Sequence, residues 1–214
     1  MDTLTDTIRG RIMLAASALF FGRGFAKVTM DEVAAELGIS KKTLYQHFAS
    51  KDALLRAVVR ELLDTTAADV ERLINDDAID FIDKLTGLMG LITARVSQIS
   101  KPFADDLQRH APALWREVQE FRHKKVMANF GRLIRKGQGL GVFRKDVDPE
   151  LLTVIYAATI QGVVNPQTLA RLPYTASELF HAVGKTMFIG IFTDQARILH
   201  HRKLKKLQKE IYHA

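Results

Sequence analysis

Residues 29–51, TMDEVAAELGISKKTLYQHFASK, have the pattern of two short helices joined by a tight turn. Thr29 and Glu32 form a capping-box signature, which marks the start of the first of these helices. Gly38 follows the last apolar position of that helix, where a chain that leaves a helix adopts a left-handed conformation. A second helix is predicted over residues 41–47, with Ser40 as its N-cap. Two helices joined by a short turn that contains Gly are typical of a helix-turn-helix, whose second helix enters the major groove of DNA.

The second helix carries hydrogen-bond donors and no carboxylates. Leu44 and Phe48 are predicted to point inward, and three lysines but no acidic residue occur from Gly38 to Lys51. Such a surface suits a polyanion, because lysines neutralise phosphates and release the counterions of DNA. The alternative is an ordinary solvated helix hairpin. The residues predicted to contact DNA are Thr29, Ser40, Lys41, Lys42, Thr43, Tyr45, Gln46, His47 and Lys51.

These residues are predicted to contact DNA in two ways. Lys42, Thr43 and Gln46 are predicted to reach base edges, since lysine suits guanine and glutamine suits adenine. Two helix N-termini in this stretch favour a phosphate through their free N–H groups and their dipoles. The residues predicted to contact phosphates are Thr29, Tyr45, His47 and Lys51.

A set of fixed spacings extends across this region. It comprises Thr29, Val33, Ala34, Leu37, Gly38, Ile39, Ser40, Lys41, Thr43, Leu44, Tyr45, His47, Phe48, Lys51 and Leu54, and upstream the run Ala15-Ala16-x-x-Leu19-Phe20-x-x-x-Gly24-Phe25. Over about residues 8–60 this pattern closely resembles the TetR-type (TetR/AcrR) transcriptional regulators. The resemblance implies a three-helix DNA-binding domain followed by a helical domain for ligand binding and dimerisation. Lys42 departs from the pattern, because the family often has a small residue there. An additional cation at that position is expected to strengthen backbone contact or to read a guanine edge.

The hydrophobic periodicity predicts an all-α chain. A first helix is predicted over residues 6 to about 21, and a long helix follows Ser50 without a break until Asn75. We therefore expect a helix-turn-helix DNA-binding domain over residues 1–52 and an effector-binding and dimerisation domain over residues 53–214. Further helices are predicted at about 77–99, 102–109, 112–136, 148–170 and 175–208, the fourth being kinked or ended by Pro166.

Charge is distributed unevenly along the 214 residues. Residues 1–60 carry nine Lys/Arg against six Asp/Glu, or +3, whereas residues 61–196 carry sixteen against seventeen, or −1. Residues 197–214 carry six against one, or +5. A neutral body with a basic head favours a sensor joined to a DNA-binding domain. The sequence leaves the role of the basic C-terminal run, Arg197 to Lys209, open.

Composition argues against several other classes of protein. The chain has no Cys, and the adjacent His200 and His201 lack the spacing of a metal pair on a helix, so no metal site is predicted. The N-terminus lacks an apolar signal region, and we expect a cytoplasmic protein without a membrane-spanning helix. The sequence contains no nucleophile elbow and no phosphate loop, and therefore neither an enzyme nor a cofactor is predicted.

Two late apolar patterns, in residues 148–170 and 175–196, exceed what one buried face requires. Small residues among them, such as Ala158, Gly162 and Gly184, allow close approach of helices. The alternative is a core within one chain, but a lone helix-turn-helix reads few base pairs and dimers read two half-sites. We expect a homodimer in which two such helices from each chain form a four-helix bundle, as the family resemblance also implies.

Large and flexible apolar residues recur in the middle helices. A cavity lined by them, with a few polar anchors, would suit a small hydrophobic or amphipathic molecule. The sequence thus predicts a homodimeric repressor that binds a palindromic or near-palindromic operator in double-stranded DNA and is released by a small-molecule effector. An effector-independent DNA-binding protein and an activator are the alternatives. The residues predicted to line the cavity are Met89, Ile92, Arg95, Phe103, Leu107, Trp115, Met127, Phe130 and Tyr156.

Overall fold

The computed structural model describes residues 7–212, with side chains described up to residue 203. Those residues form eleven α-helices and no β-strand, which confirms the all-α prediction. None of the described helices combines the length and the apolar composition that a membrane span requires. The helices are α1 Ile8–Arg23, α2 Met30–Glu36, α3 Lys41–His47, α4 Lys51–Asn75, α5 Phe81–Ser97, α6 Lys101–His110, α7 Pro112–Gly139, α8 Pro149–Val163, α9 Pro166–Arg171, α10 Ala176–Ile191 and α11 Asp194–Tyr212.

The helix-turn-helix of α2 and α3 forms as its local signals predict. The Thr29 hydroxyl accepts a hydrogen bond from the Glu32 N–H at 3.2 Å, and the Glu32 carboxylate accepts one from the Thr29 N–H at 2.6 Å. Gly38 has a φ of 63°, a left-handed conformation that glycine adopts without steric cost. Ser40 caps α3 by accepting from the Thr43 N–H at 3.0 Å. Local hydrogen bonds therefore define where both helices begin and how the turn between them is made.

Pro166 separates two helices that the sequence predicts as one pattern over residues 148–170. α8 ends at Val163, and Asn165 caps α9 by accepting from the Thr168 N–H at 2.9 Å. Pro166 occupies the first turn of α9, where the missing proline N–H leaves no hydrogen bond unmade. The expected break near this proline is confirmed as a helix end followed by a new start.

The single helix predicted over residues 175–208 is wrong, because the chain leaves the helical conformation at Phe192 and Thr193. Phe192 is extended, with φ −63° and ψ 143°, and pairs with Phe143 in an isolated antiparallel bridge. The Thr193 N–H donates to the Val142 carbonyl at 2.9 Å. Backbone groups that a continuous helix would pair internally thus bond to the loop after α7. Helical periodicity in residues 175–208 does not reveal this contact.

The chain forms two compact units. The first contains residues 7–68 together with Arg95–Phe121, and the second contains Asp69–Ala94 together with residues 122–212. The predicted boundary between residues 52 and 53 divides the chain by function rather than by packing, and it stays a prediction.

The core of the first unit fixes the orientation of α3. Phe20, Leu44 and Leu54, from α1, α3 and α4, are fully buried in one apolar cluster. α6 joins the same core through Phe103, whose ring meets that of Phe21 edge-on with centroids 4.9 Å apart. Burial of Leu44 means that α3 cannot rotate about its axis without losing apolar contacts.

The core of the second unit is rich in aromatic rings. Phe143 is fully buried, and its ring centroid lies 5.5 Å from that of Phe81, 6.1 Å from Phe188 and 5.7 Å from Phe192. Gly137 makes room for this ring, because a Cβ there would lie 2.2 Å from a Phe143 ring carbon. The loop after α7 is therefore held by packing as well as by the bridge to Phe192.

Candidate nucleic-acid interface

The recognition helix α3 presents Lys42 and Gln46 away from the core. Leu44 is fully buried and Phe48, just after the helix, is nearly so. Lys42 and Gln46 each lie two positions from Leu44, about 200° around the helix, and both are exposed. The two residues predicted to reach guanine and adenine edges therefore lie on the outermost face of α3, one helical turn apart.

Lys41 forms an ion pair with α2. Its Nζ lies 2.8 Å from Asp31 Oδ1 and donates to Asp31 Oδ2 at 3.1 Å. The sequence pattern from residue 38 to 51 contains no acid, so the partner comes from outside that stretch, ten positions earlier. Lys41 is thus exposed at the start of α3 but is engaged by the protein itself.

Lys51, at the start of α4, is directed toward the loop before α2. Its Nζ donates to the Ala26 carbonyl at 3.2 Å and lies 4.4 Å from the centroid of the Phe25 ring. Burial lowers the pKa of the Lys51 ammonium. The Ala26 N–H in turn donates to Asp106 Oδ2 at 2.7 Å, so the backbone N–H and carbonyl of Ala26 are both held by side chains. The phosphate contact of Lys51 stays a prediction.

Residues predicted to contact DNA at the starts of α2 and α3 also cap their own helices. The Thr29 hydroxyl donates to Glu32 Oε2 at 2.8 Å, and hydrogen bonds from the Thr29 N–H and hydroxyl hold the pKa of the Glu32 carboxyl below its ordinary value. The Ser40 and Thr43 hydroxyl oxygens lie 2.8 Å apart. These side chains are exposed or half-buried at the protein surface, and their contacts with DNA stay predictions.

Tyr45 and His47 lie at the sides of α3. Tyr45 is exposed and His47 is half-buried. Arg9 of α1, which the sequence pattern did not single out, donates to the His47 carbonyl at 2.9 Å, and its guanidinium lies 4.2 Å from the Phe48 ring centroid. Arg9 thereby satisfies a carbonyl at the C-terminal end of α3, and no short-range spacing links it to that end of the helix.

α8 carries an apolar stripe on its exposed side. Leu151, Val154 and Ile155 are 60%, 52% and 45% exposed, and the exposed Ala158 and Gly162 continue the stripe at helical spacing. The stripe extends along the whole helix, whose opposite side lies in the core of the second unit. Contiguous exposed apolar surface of this kind marks interaction sites on soluble proteins.

Two positions that the sequence pattern assigns to a dimer surface lie instead inside the second unit. Ile191 is buried, and a Cβ on Gly184 would approach the Met89 methyl carbon to 2.3 Å. The small residues that α10 does expose are Ala182, Thr186 and Gly190.

The predicted effector-binding residues are divided between the two units, and their role in ligand binding stays a prediction. Phe103 and Leu107 are buried in the core of the first unit, and Trp115 packs against that core. Arg95 belongs to the first unit as well. The predicted residues that lie in the second unit are Met89, Ile92, Met127, Phe130 and Tyr156.

Two polar groups of the second unit were missed by the sequence pattern. The Thr93 hydroxyl on α5 is buried and has no hydrogen-bond partner among the described residues. Arg122 lies near Tyr156, and burial lowers the pKa of its guanidinium. Burial also raises the pKa of the Tyr156 phenol, whose ring stacks on Phe130 at 4.1 Å between centroids. Polar residues within apolar helical faces are the signal that could have drawn attention to them.

His200 packs against an aromatic ring. Its ring centroid lies 5.2 Å from that of Phe192, and burial there lowers the pKa of the imidazole. In the described part of the chain no three His, Asp or Glu residues are grouped so that they could hold a metal ion. The basic run that begins at Arg197 continues past residue 203, where its side chains lie outside the described residues.

Comparison with known proteins relates the first unit and the whole fold to bacterial regulators. The sequence model described as "Bacterial regulatory proteins, tetR family" matches residues 12–58. The HTH-type transcriptional regulator YvaF of Bacillus subtilis is 22% identical over 185 residues, which span 86% of this chain and 96% of YvaF. The HTH-type transcriptional repressor KstR2 of Mycolicibacterium smegmatis is 28% identical over 148 residues, 67% of this chain and 71% of KstR2.

A solved structure has the same fold along most of its length. The TetR-family transcriptional regulator from Marinobacter aquaeolei superimposes with a TM-score of 0.73 at 21% identity, over 94% of this chain and 98% of that one. This confirms the predicted arrangement of an N-terminal helix-turn-helix domain and a helical C-terminal domain.

Proposed function

The chain belongs to the tetR family of bacterial regulatory proteins, and from that premise we propose that it is a homodimeric repressor released from its operator by a small hydrophobic or amphipathic effector. Membership makes it a DNA-binding transcriptional regulator. The observation that carries the proposal is the exposed face of α3, where Lys42 and Gln46 point away from the core that holds Leu44. The relative KstR2 is named a repressor, which supports repression over activation here.

Lys42 and Gln46 are proposed to read bases within each half-site. They are four residues apart, about 6 Å along the helix, so they reach base pairs close to each other in the major groove. Lysine suits guanine and glutamine suits adenine, so each half-site is proposed to contain both bases. Thr43 is proposed to reach a base edge beside them. The residues proposed to contact the backbone around them are Thr29, Ser40, Lys41, Tyr45, His47 and Lys51.

We expect Lys42→Ala and Gln46→Ala each to weaken binding to the operator while changing binding to random DNA less. The discrimination lost at the corresponding base pair is expected to be about 5- to 100-fold, the range for one base-reading side chain. Fluorescence anisotropy on operator and random duplexes measures both affinities. Lys27→Ala is the matched control, because Lys27 is exposed in the loop before α2 and outside α3. Equal losses on both duplexes for both variants would contradict base reading.

The dimer is proposed to form through α8 and α10. The exposed stripe of Leu151, Val154 and Ile155 is a surface that a second copy of the chain would cover. On α10, exposed Ala182 and Thr186 would allow a partner helix to approach closely. A dimer also presents two copies of α3, and a two-fold arrangement of this kind reads a palindromic or near-palindromic site.

The effector is proposed to bind in the second unit, near Thr93 on α5. A buried hydroxyl without a hydrogen-bond partner is costly, and a polar group of a ligand would satisfy it. Met89 and Ile92, on the same helix, are apolar and partly buried, which suits a ligand that is otherwise hydrophobic. Such a ligand releases the protein from DNA only if it binds the DNA-bound and the DNA-free conformations with different affinity.

A thermal-shift screen of fatty acids, aromatic acids and bile-type amphipaths tests this proposal. A ligand of the folded state stabilises it by RT ln(1 + [L]/Kd), about 2.7 kcal/mol at a hundredfold excess over Kd. Thr93→Val should reduce the shift produced by a hit, while the stability without ligand stays equal or rises, because an unsatisfied buried hydroxyl is removed.

Thr86→Val is the control for this variant, since Thr86 also lies on α5 but donates to the Ile82 carbonyl at 3.1 Å. Equal ligand response in both variants would contradict a role for Thr93. A screen without hits would favour an effector-independent DNA-binding protein.

A further inference from the structure

Lys41, the first residue of α3, is held by a carboxylate of α2. Its ammonium contacts both Asp31 oxygens, at 2.8 and 3.1 Å. The side chains of Lys41 and Asp31 are 60% and 65% exposed, so the pair lies at the surface of the helix-turn-helix. The hydrogen bond that the Lys41 ammonium donates to Asp31 raises the pKa of Lys41.

The lysines from residue 38 to 51 are not equally available to DNA. Lys51 donates to the Ala26 carbonyl, and Lys41 donates to Asp31. Lys42 is exposed on the face of α3 that points away from the core. The count of three lysines in this stretch therefore overstates the positive charge that α3 offers to a phosphate without rearrangement.

We propose that Asp31 competes with DNA phosphate for Lys41, and thereby sets the strength and the salt dependence of DNA binding. The proposal rests on the proposed function, because it requires that α3 face DNA. For Lys41 to reach a phosphate, its ammonium must leave Asp31, and the released carboxylate then lies close to the negatively charged backbone. An exposed ion pair contributes little stability and exchanges readily, but it removes one cation from the free protein surface.

A purely structural role for Asp31 predicts the opposite result. Asp31 lies in the first turn of α2, where a carboxylate stabilises the helix by interacting favourably with the helix dipole. If that were its main role, Asp31→Asn would loosen α2 and weaken DNA binding. If Asp31 competes with phosphate, the same variant strengthens DNA binding even where it lowers thermal stability. The two readings are therefore separated by the sign of the change.

Asp31→Asn should bind a random-sequence duplex about 3- to 10-fold more tightly at low salt. The plot of log affinity against log salt concentration should be steeper by about 0.9, the value for one additional neutralised phosphate. Affinity for an operator should rise in the same ratio, because phosphate contacts carry no sequence information. Fluorescence anisotropy over a series of NaCl concentrations measures all three quantities.

Two controls separate this effect from a change in net charge. Glu36→Gln removes the same charge at the other end of α2, and it should change affinity much less. Lys41→Met should cancel the gain, so that the double variant Lys41→Met/Asp31→Asn binds no more tightly than Lys41→Met alone.

Equal effects of Asp31→Asn and Glu36→Gln, or a gain that persists in the double variant, would overturn the proposal. If the native protein binds DNA and Asp31→Asn binds it equally or more weakly, this inference is overturned while the proposed function stands. A native protein that binds no duplex at any salt concentration would remove the proposed function and this inference together.

Discussion

Ile155→Glu should convert the proposed dimer into a monomer. Ile155 lies at the centre of the exposed α8 stripe, between Leu151 and Gly162, and is 45% exposed in the single chain. In the proposed interface a second chain would remove this side chain from water. A glutamate there would be buried without a partner, and an unpaired buried charge is strongly destabilising to association. The variant should leave the fold of each chain intact, because the position faces solvent in the monomer.

Sedimentation velocity at micromolar concentration measures the change in assembly. The native protein should sediment as a dimer. The Ile155→Glu variant should sediment as a monomer, and its far-UV circular dichroism spectrum should be unchanged. Gln195→Glu is the matched control, since Gln195 is exposed on α11 and outside the stripe, and it should remain dimeric. A monomeric native protein, or an Ile155→Glu variant that stays dimeric, would contradict the assignment of α8 to the interface.

Phe143→Ala should destabilise the second unit by about 3–5 kcal/mol, the usual cost of truncating a buried phenylalanine. Phe143 is 1% exposed and its ring contacts three other phenylalanines of the same core. Its ring also lies against Gly137. Its backbone forms the bridge to Phe192, the residue at which the helical conformation ends between α10 and α11. The truncation therefore opens a cavity at the point where the loop after α7 packs on the rest of the second unit.

Urea unfolding followed by far-UV circular dichroism tests this value. Leu140→Ala is the matched control, because Leu140 lies three residues earlier and is 58% exposed, so its truncation should cost under about 0.5 kcal/mol. A loss below about 1 kcal/mol for Phe143→Ala would show that this ring does not anchor the loop.

Local signals made much of the first unit predictable. The caps at Thr29 and Ser40 and the left-handed Gly38 are properties of a few adjacent residues, and each is found where the sequence placed it. The apolar spacing of Leu44 and Phe48 likewise determined which side of α3 is buried. These features depend on helix geometry alone, which repeats at fixed spacing along the chain.

The Lys41–Asp31 ion pair and the helix interruption at Phe192 depend on residues that lie on different elements. Phe192 leaves the helix because Phe143, in the loop after α7, pairs with it. Asp31 and Lys41 lie on different helices, and the packing of α2 against α3 brings them together. No spacing rule along one helix encodes such contacts.

Apolar residues gave the least reliable predictions, because a buried core and a ligand site use the same side chains. Trp115 packs against the core of the first unit, and Phe130 and Tyr156 stack in the second, although all three were grouped as one cavity lining. Gly184 was assigned to a helix interface, yet the space beside it is filled by Met89 of the same chain. Small and large apolar residues indicate close packing but do not identify the partner.

In vitro selection from a pool of random duplexes tests the central claim, sequence-specific DNA binding by a two-fold dimer, most directly. The native protein should enrich a sequence with two inverted half-sites, their centres about 10–10.5 base pairs or a multiple of that apart, each containing guanine and adenine at neighbouring positions. Failure to enrich any sequence over the starting pool, or enrichment of a single site without inverted symmetry, would contradict the account.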